Sequence, residues 1–145
     1  MSNYNIYFSP TSGTQTIADL VSAELFKQYK TVDIIKDISE KAFKEDDLCL
    51  ISVPSFGGRV PSIAIERLKQ FKADQTKAIL ICVYGNRTYE DTLFELQDTL
   101  ESAGFIVIAG ISAIARHSLF TRFASHRPDE HDITQLKEFA RLIKK

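Results

Sequence analysis

Short apolar runs alternate along this chain with longer stretches in which apolar residues recur every three or four positions. Five of the runs predict β-strands, at Tyr4–Phe8, Thr31–Ile35, Leu48–Val53, Ala78–Tyr84 and Phe105–Ala109. The third and fourth runs are apolar at nearly every position. Parallel strands that are covered by helices on both faces have this pattern.

The helical periodicity is found in four stretches, Thr14–Tyr29, Val60–Phe71, Tyr89–Leu100 and Ile133–Ile143. Pro61 suits the first turn of the second helix, and Asp132 suits the cap of the last. The stretch Lys36–Asp47 is expected to be a loop with a short helical turn. The longest irregular stretch is expected at Gly110–Pro128, which is long for a simple connection.

The order of these elements predicts the fold. Strand–helix alternation indicates an α/β protein with a parallel sheet and right-handed crossovers. Five strands in 145 residues fit a doubly wound sheet of order 2-1-3-4-5, with three α/β/α layers. The sequence contains no internal repeat or interdomain linker, so residues 1–145 are expected to form a single domain.

Charge and composition narrow the possible partners and cofactors. The formal net charge is −1, which gives no basic footprint for nucleic acid. Cys49 and Cys82 are too few for a zinc or iron–sulfur site, and the histidines, all between residues 117 and 131, fit no metal template. No apolar run approaches the roughly 20 residues that span a bilayer, and the start of the chain has no basic signal region. We therefore expect a cytoplasmic protein without a metal or a membrane partner.

Ligands of doubly wound sheets bind beyond the carboxyl ends of the strands, where the strand order reverses. The loop after the first strand, Ser9–Thr16, is rich in hydroxyl groups and leads directly into a helix. A helix N-terminus offers free N–H groups and a partial positive charge, which favour a phosphate. The alternative is that the hydroxyls only cap the helix. The Gly-Lys-Ser/Thr of a nucleotide triphosphatase is absent.

The loops after the third and fourth strands carry aromatic and amide groups. In the loop Pro54–Pro61, Phe56 is a surface on which a flat ligand would stack, and two glycines permit close approach of the backbone. The loop Tyr84–Asp91 offers donors and rings suited to a planar heterocycle. The alternatives are an ordinary turn with Phe56 packed on a helix, and a surface turn with Tyr89 on the core face.

A basic segment follows the fifth strand. Residues 105–128 contain no acidic side chain, and the basic residues are Arg116, His117, Arg122, His126 and Arg127. This segment is either a solvated surface or a rim that meets an acidic partner or a second nucleotide's phosphates.

Three motifs together resemble the flavodoxin superfamily. They are Tyr7–Thr11, Val53–Pro61 and Val83–Asp91, with Ala115–Ser118 and Arg127–Asp129 adding to the likeness. The sequence is most similar to the flavodoxin-like module that precedes a ferredoxin domain in some fusion proteins, and we expect this protein to lack the ferredoxin domain. In the first loop the glycine of Thr11-Ser12-Gly13-Thr14 stands one position later than relatives usually have it.

The resemblance implies bound FMN, with three groups of contact residues and no catalytic residue or metal ligand of the chain itself. Those implied at the phosphate are Ser9, Thr11, Ser12, Gly13 and Thr14. Those implied along the ribityl chain and one ring face are Pro54, Ser55, Phe56, Gly57, Gly58 and Arg59. Those implied at the border of the isoalloxazine are Tyr84, Gly85, Asn86, Arg87 and Tyr89.

The predicted function is that of an FMN-binding, flavodoxin-like redox protein that transfers electrons to or from a partner protein, such as a separate ferredoxin or a reductase. One alternative is an NAD(P)H-dependent FMN or quinone reductase. Another is a flavin-free interaction module with the same fold. A phospho-acceptor domain is excluded because Ser9 and Pro54 stand where acidic residues are needed, and no serine lies in a Gly-x-Ser-x-Gly hydrolase motif.

Overall fold

In the computed structural model, residues 2–10, 12–36, 41–55, 59–84 and 90–114 are described. Their strands form one parallel five-stranded sheet in the order β2-β1-β3-β4-β5, which confirms the predicted order. The elements, in chain order, are β1 (Asn3–Tyr7), α1 (Ser12–Leu25), β2 (Lys30–Asp33), β3 (Leu48–Pro54), α2 (Ser62–Lys69), β4 (Thr76–Tyr84), α3 (Glu90–Ser102) and β5 (Phe105–Ile114).

The sheet separates two apolar layers. On one face, Ile79 of β4 packs in a cluster with Ile17 and Val21 of α1. On the other face, Leu80 belongs to a cluster that contains Leu68 of α2 and Leu96 of α3. Successive strand residues point to opposite faces, so both faces of a central strand are buried. This explains why β3 and β4 are apolar at nearly every position.

The edge strand β5 is longer than predicted. The sequence predicted an irregular stretch from Gly110, but the strand continues to Ile114 and pairs along the whole length of β4. Its register shifts by one residue, since Ala78 pairs with Val107 and Ile79 with Ala109. Ile108 is therefore the extra residue of a β-bulge.

The bulge changes which layer the side chains of β5 enter. Phe105 and Val107, before it, pack with the α2 and α3 layer. Ala109, Ile111 and Ala113, after it, pack with the α1 layer. In a regular strand without a bulge, alternation would keep these five side chains on one face.

Two helices end earlier than their apolar periodicity indicated. Helix α1 ends at Leu25 instead of Tyr29, and Phe26 and Tyr29 contact each other beyond it with ring centroids 6.0 Å apart. Helix α2 ends at Lys69, and Phe71 enters the core from the turn that follows. Pro61 precedes α2 as its N-cap residue (φ −55°, ψ 137°) and is not in the first turn.

Of the stretch Lys36–Asp47, the structure describes Lys36 and residues 41–47. It contains an isolated bridge between Ala42 and Lys72 and a turn at residues 45–46. The Asp47 carboxylate is buried and accepts hydrogen bonds from the backbone N–H groups of Ser2 and Lys44. The predicted last helix, Ile133–Ile143, and the basic segment 116–127 lie outside the described residues.

Candidate functional site

The three loops identified in the sequence leave the sheet side by side. Strand β3 lies between β1 and β4, and all three are parallel, so their carboxyl ends meet at one edge. Tyr7 pairs with Ser52, and Pro54 pairs with Val83. The chain moves outwards from β1 to β2 and then returns to β3, which makes this edge the point where strand order reverses.

The first loop is tied to the start of α1 by a side-chain cap. Ser9 Oγ accepts a hydrogen bond of 3.1 Å from the backbone N–H of Gln15 in the first turns of the helix. Thr14 is buried, whereas Gly13 is half-buried. The first turn of α1 contains no acidic side chain. No carboxylate of that turn therefore neutralises the partial positive charge at the start of the helix.

The start of the second loop is anchored to α3. The backbone N–H of Ser55 donates to the Val83 carbonyl at 2.8 Å, which continues the sheet beyond β3. The Ser55 hydroxyl shares a buried hydrogen bond of 2.7 Å with the Thr92 hydroxyl. Pro54 is also buried. These contacts fix the backbone where it leaves β3.

The end of the same loop is anchored to α3 by a single carboxylate. Glu95 Oε1 accepts from the backbone N–H of Val60 at 2.8 Å, and Glu95 Oε2 accepts from Arg59 Nη2 at 2.6 Å. The hydrogen bond from Arg59 is the main reason why the pKa of Glu95 lies below its ordinary value. Partial burial opposes this shift, and the Val60 N–H and the charge of Arg59 add to it.

The third loop connects Tyr84, the last residue of β4, to Glu90, the first of α3. Of the residues predicted to contact a ligand, half belong to the described part of the chain: Ser9, Ser12, Gly13, Thr14, Pro54, Ser55, Arg59 and Tyr84. The others lie outside it: Thr11, Phe56, Gly57, Gly58, Gly85, Asn86, Arg87 and Tyr89. The contacts themselves remain predictions for all of them.

Thr92 and Glu95 hold the second loop of the candidate site, and the sequence did not predict this role. Both lie on α3 among the apolar positions Leu93, Leu96 and Leu100, and they are three residues apart, which places them on one side of the helix. The available signal was the position of Thr92 four residues before Leu96, which places it on the apolar face of the helix. Its partner was not predictable, since it lies 37 positions earlier in the chain.

Both cysteines lie in the interior of the protein. Cys49 and Cys82 are free thiols, and both are buried in the layer beneath α2 and α3. Burial raises the pKa of both thiols, that of Cys82 to about 12, which disfavours the nucleophilic thiolate. The described residues contain no group of His, Cys, Asp and Glu side chains arranged to hold a metal ion. None of their helices is both long and apolar enough to cross a bilayer.

Comparison with solved structures identifies the architecture. Oxidised flavodoxin 1 from Bacillus cereus is 13% identical and superposes with a TM-score of 0.69, covering 97% of this chain and 95% of its own. The chain has a flavodoxin-like fold. An NADH:FMN oxidoreductase in its apo form is 15% identical, with a TM-score of 0.72, and the match covers 99% of this chain and 88% of the other.

A third flavodoxin-like structure is a flavoprotein from Lactobacillus acidophilus in complex with FMN. It is 14% identical, with a TM-score of 0.53, and the match covers 77% of this chain and 92% of the other. No protein-family model and no curated protein sequence matches the chain. The flavodoxin-like fold is consistent with the loop positions described above. The narrower resemblance to the module of ferredoxin fusion proteins stays a prediction.

Proposed function

We propose that this protein binds FMN at the carboxyl edge of its sheet and transfers electrons through the bound flavin. The observation that carries the proposal is the convergence of three chemically distinct loops on neighbouring ends of β1, β3 and β4. Likeness to a flavodoxin, an NADH:FMN oxidoreductase and a flavoprotein in complex with FMN supports it.

The start of α1 fits the phosphate of FMN. Its first turn carries no carboxylate, and the loop before it has hydroxyls but no charged side chain. Backbone N–H groups and the helix dipole would therefore stabilise the phosphate. Ser9, Gly13 and Thr14 are the described residues that flank the start of the helix and would lie beside it. Ser9 Oγ accepts from the Gln15 N–H, which holds the loop against the start of the helix.

The second and third loops fit the ring system. The flavin, when bound, supplies the one- and two-electron redox chemistry, while the protein orients it and tunes its electrostatic surroundings. The anchors of Ser55 on Thr92 and of Val60 on Glu95 hold the two ends of the second loop in place. A loop held at both ends loses less conformational entropy when it receives a ligand.

A charge substitution at the phosphate end tests the proposal. We expect purified protein to take up FMN at micromolar concentration and to show a flavin absorption spectrum. Gln15→Glu adds a negative charge at the start of α1, which favours the helix but repels a phosphate. FMN affinity should fall by about fivefold or more, from a Coulomb repulsion of about 1 kcal/mol or more at close range, while affinity for riboflavin, which has no phosphate, should not change.

Gln28→Glu is the matched control, because it adds the same charge beyond the opposite end of α1. It should leave both affinities unchanged. A colourless protein that takes up no FMN would refute the proposal and favour the flavin-free interaction module. Equal effects of Gln15→Glu on FMN and riboflavin would refute the assignment of the phosphate to α1.

The second candidate function is that of a small NAD(P)H-dependent reductase acting on FMN or a quinone. The superposition on an NADH:FMN oxidoreductase favours it, since it covers nearly the whole chain. Anaerobic mixing of the FMN-loaded protein with NADH or NADPH separates the two functions. Rapid loss of the oxidised flavin absorption indicates the reductase, whereas an electron carrier needs a partner such as a reductase or a ferredoxin.

A further inference from the structure

Both ends of the second loop are held by one side of α3. Ser55, at the start of the loop, is hydrogen-bonded to Thr92, and Arg59 and Val60, at its end, are bound to Glu95. We call this set of contacts the loop clamp. Helix α3 begins directly after the third loop, so the clamp connects the second loop to the element that the third loop enters.

Glu95 holds the end of the loop with both of its carboxylate oxygens. One oxygen accepts from the backbone N–H of Val60, a residue that is 4% exposed and enters the core. The other oxygen accepts from Arg59, whose side chain is mostly exposed to solvent. The first contact fixes the backbone, and the second pairs the positive charge of Arg59 beside the loop.

We propose that Glu95 is a positioning residue for the bound flavin, because it fixes the end of the second loop and neutralises Arg59 next to it. The inference rests on the proposed binding of FMN. It follows from the charges that the two partners have opposite effects on the flavin's midpoint potential. Reduction adds negative charge to the flavin, which an unpaired cation favours and an unpaired anion opposes.

Three variants test the charge relationship. Glu95→Gln leaves Arg59 unpaired and should raise the midpoint potential. Arg59→Gln leaves Glu95 unpaired and should lower it. The double variant contains no charge at either position and should return the potential towards that of the wild type. A merely structural role would move both single variants in the same direction.

The loop-fixing role is measured in the protein without flavin. Trypsin cleaves after arginine, and Arg59 is followed by Val60, so cleavage at this bond reports the release of the loop end from Glu95. We expect Glu95→Gln and Glu95→Ala to increase the rate of this cleavage by about fivefold or more, as local opening becomes easier. Mass spectrometry of the fragments distinguishes this bond from the other basic sites.

Asp98→Asn is the matched control, because Asp98 is an exposed acid of α3 that lies three residues after Glu95. It should change neither the cleavage rate nor the potential. Unchanged cleavage at Arg59–Val60 in both Glu95 variants, or potential shifts of the same sign in Glu95→Gln and Arg59→Gln, would overturn the inference while FMN binding stands. A wild-type protein that takes up no FMN would instead refute the proposed function, and the cleavage assay would still report on the clamp.

Discussion

The hydroxyl oxygens of Ser55 and Thr92 lie 2.7 Å apart in the interior of the protein and join the residue after β3 to the first turn of α3. Ser55 is 3% exposed and Thr92 is fully buried. A buried hydroxyl is stable only with a hydrogen-bond partner, and each of these two residues supplies one to the other. The pair therefore aligns α3 with the edge of the sheet at which the candidate site lies.

Thr92→Val tests the contribution of this hydrogen bond. The substitution preserves the shape of the side chain but deprives the Ser55 hydroxyl of this partner, so we expect the free energy of unfolding to fall by about 1–3 kcal/mol. Urea denaturation measures the change. Thr99→Val is the control, because the Thr99 hydroxyl donates to the carbonyl of Glu95 in its own helix. Equal decreases in the free energy of unfolding would show that the Ser55–Thr92 hydrogen bond stabilises the protein no more than the hydrogen bond of Thr99 does.

Gly104 occupies a position that no other residue fits. Its φ is +104°, and a Cβ added there would lie 2.2 Å from the backbone oxygen of Ala73. We expect Gly104→Ala to lower the free energy of unfolding by more than about 2 kcal/mol, because both the strain and the backbone clash must be relieved.

Gly110→Ala is the matched comparison for Gly104→Ala. A Cβ at Gly110 would meet the flexible end of Leu93 at 3.3 Å. The leucine can shift slightly, so a loss below about 1 kcal/mol is expected. Thermal or urea unfolding that ranks the two variants in the reverse order would contradict the described turn between α3 and β5.

Both cysteines should resist modification in the folded protein. Cys49 and Cys82 are buried, and burial raises the pKa of each thiol. At pH 8 a thiol-specific reagent should therefore label neither residue until denaturant is added, and both should then react at once. Mass spectrometry after timed labelling provides the measurement. Fast labelling of native Cys82 would show that the layer beneath α3 opens readily.

The Glu95 carboxylate should make stability depend on acid. The hydrogen bond from Arg59 is the largest cause that lowers the pKa of Glu95 below its ordinary value of 4.5. The folded state then binds this proton less readily than the unfolded state does. The resulting stabilisation is present above about pH 4.5 and is lost as the pH falls through the lowered value.

Urea midpoints of the wild type and Glu95→Gln between pH 7 and pH 3 measure this dependence. The wild type should be the more stable at pH 7, and the difference should shrink towards acid. Asp98→Asn, which removes an exposed charge of the same helix, should change the stability at pH 7 less than Glu95→Gln does. A wild-type advantage that persists unchanged at pH 3 would contradict the lowered pKa of Glu95.

The sequence was sufficient to predict the strands that are buried on both faces of the sheet. The predicted bounds of β3 and β4, Leu48–Val53 and Ala78–Tyr84, lie within two residues of the observed bounds. Helices on both faces of the sheet require continuous apolar runs, and these runs were visible in the sequence. The predicted β5 ended at Ala109, whereas the observed strand continues through Gly110, although glycine usually weakens a strand. In the structure Gly110 pairs with Leu80 in the neighbouring strand, and Leu93 packs where its side chain would be.

The position of the candidate site was predictable from topology, but its supporting contacts were not. Parallel strand order alone brings the ends of β1, β3 and β4 to one edge. The hydrogen bonds from Glu95 and Thr92 depend on how α3 lies against β3, across 35 to 37 positions of the chain. The local periodicity of a sequence does not indicate which residues so far apart in the chain come into contact.

The bulge at Ile108 has a consequence for the way the molecule unfolds. An edge strand is ordinarily the part of a sheet that frays first, since only one neighbour holds it. Here the first half of β5 is buried on one side of the sheet and the second half on the other, so its detachment would admit water to both. We expect the amide hydrogens of β5 to exchange with solvent as slowly as those of central β4, in a single cooperative event.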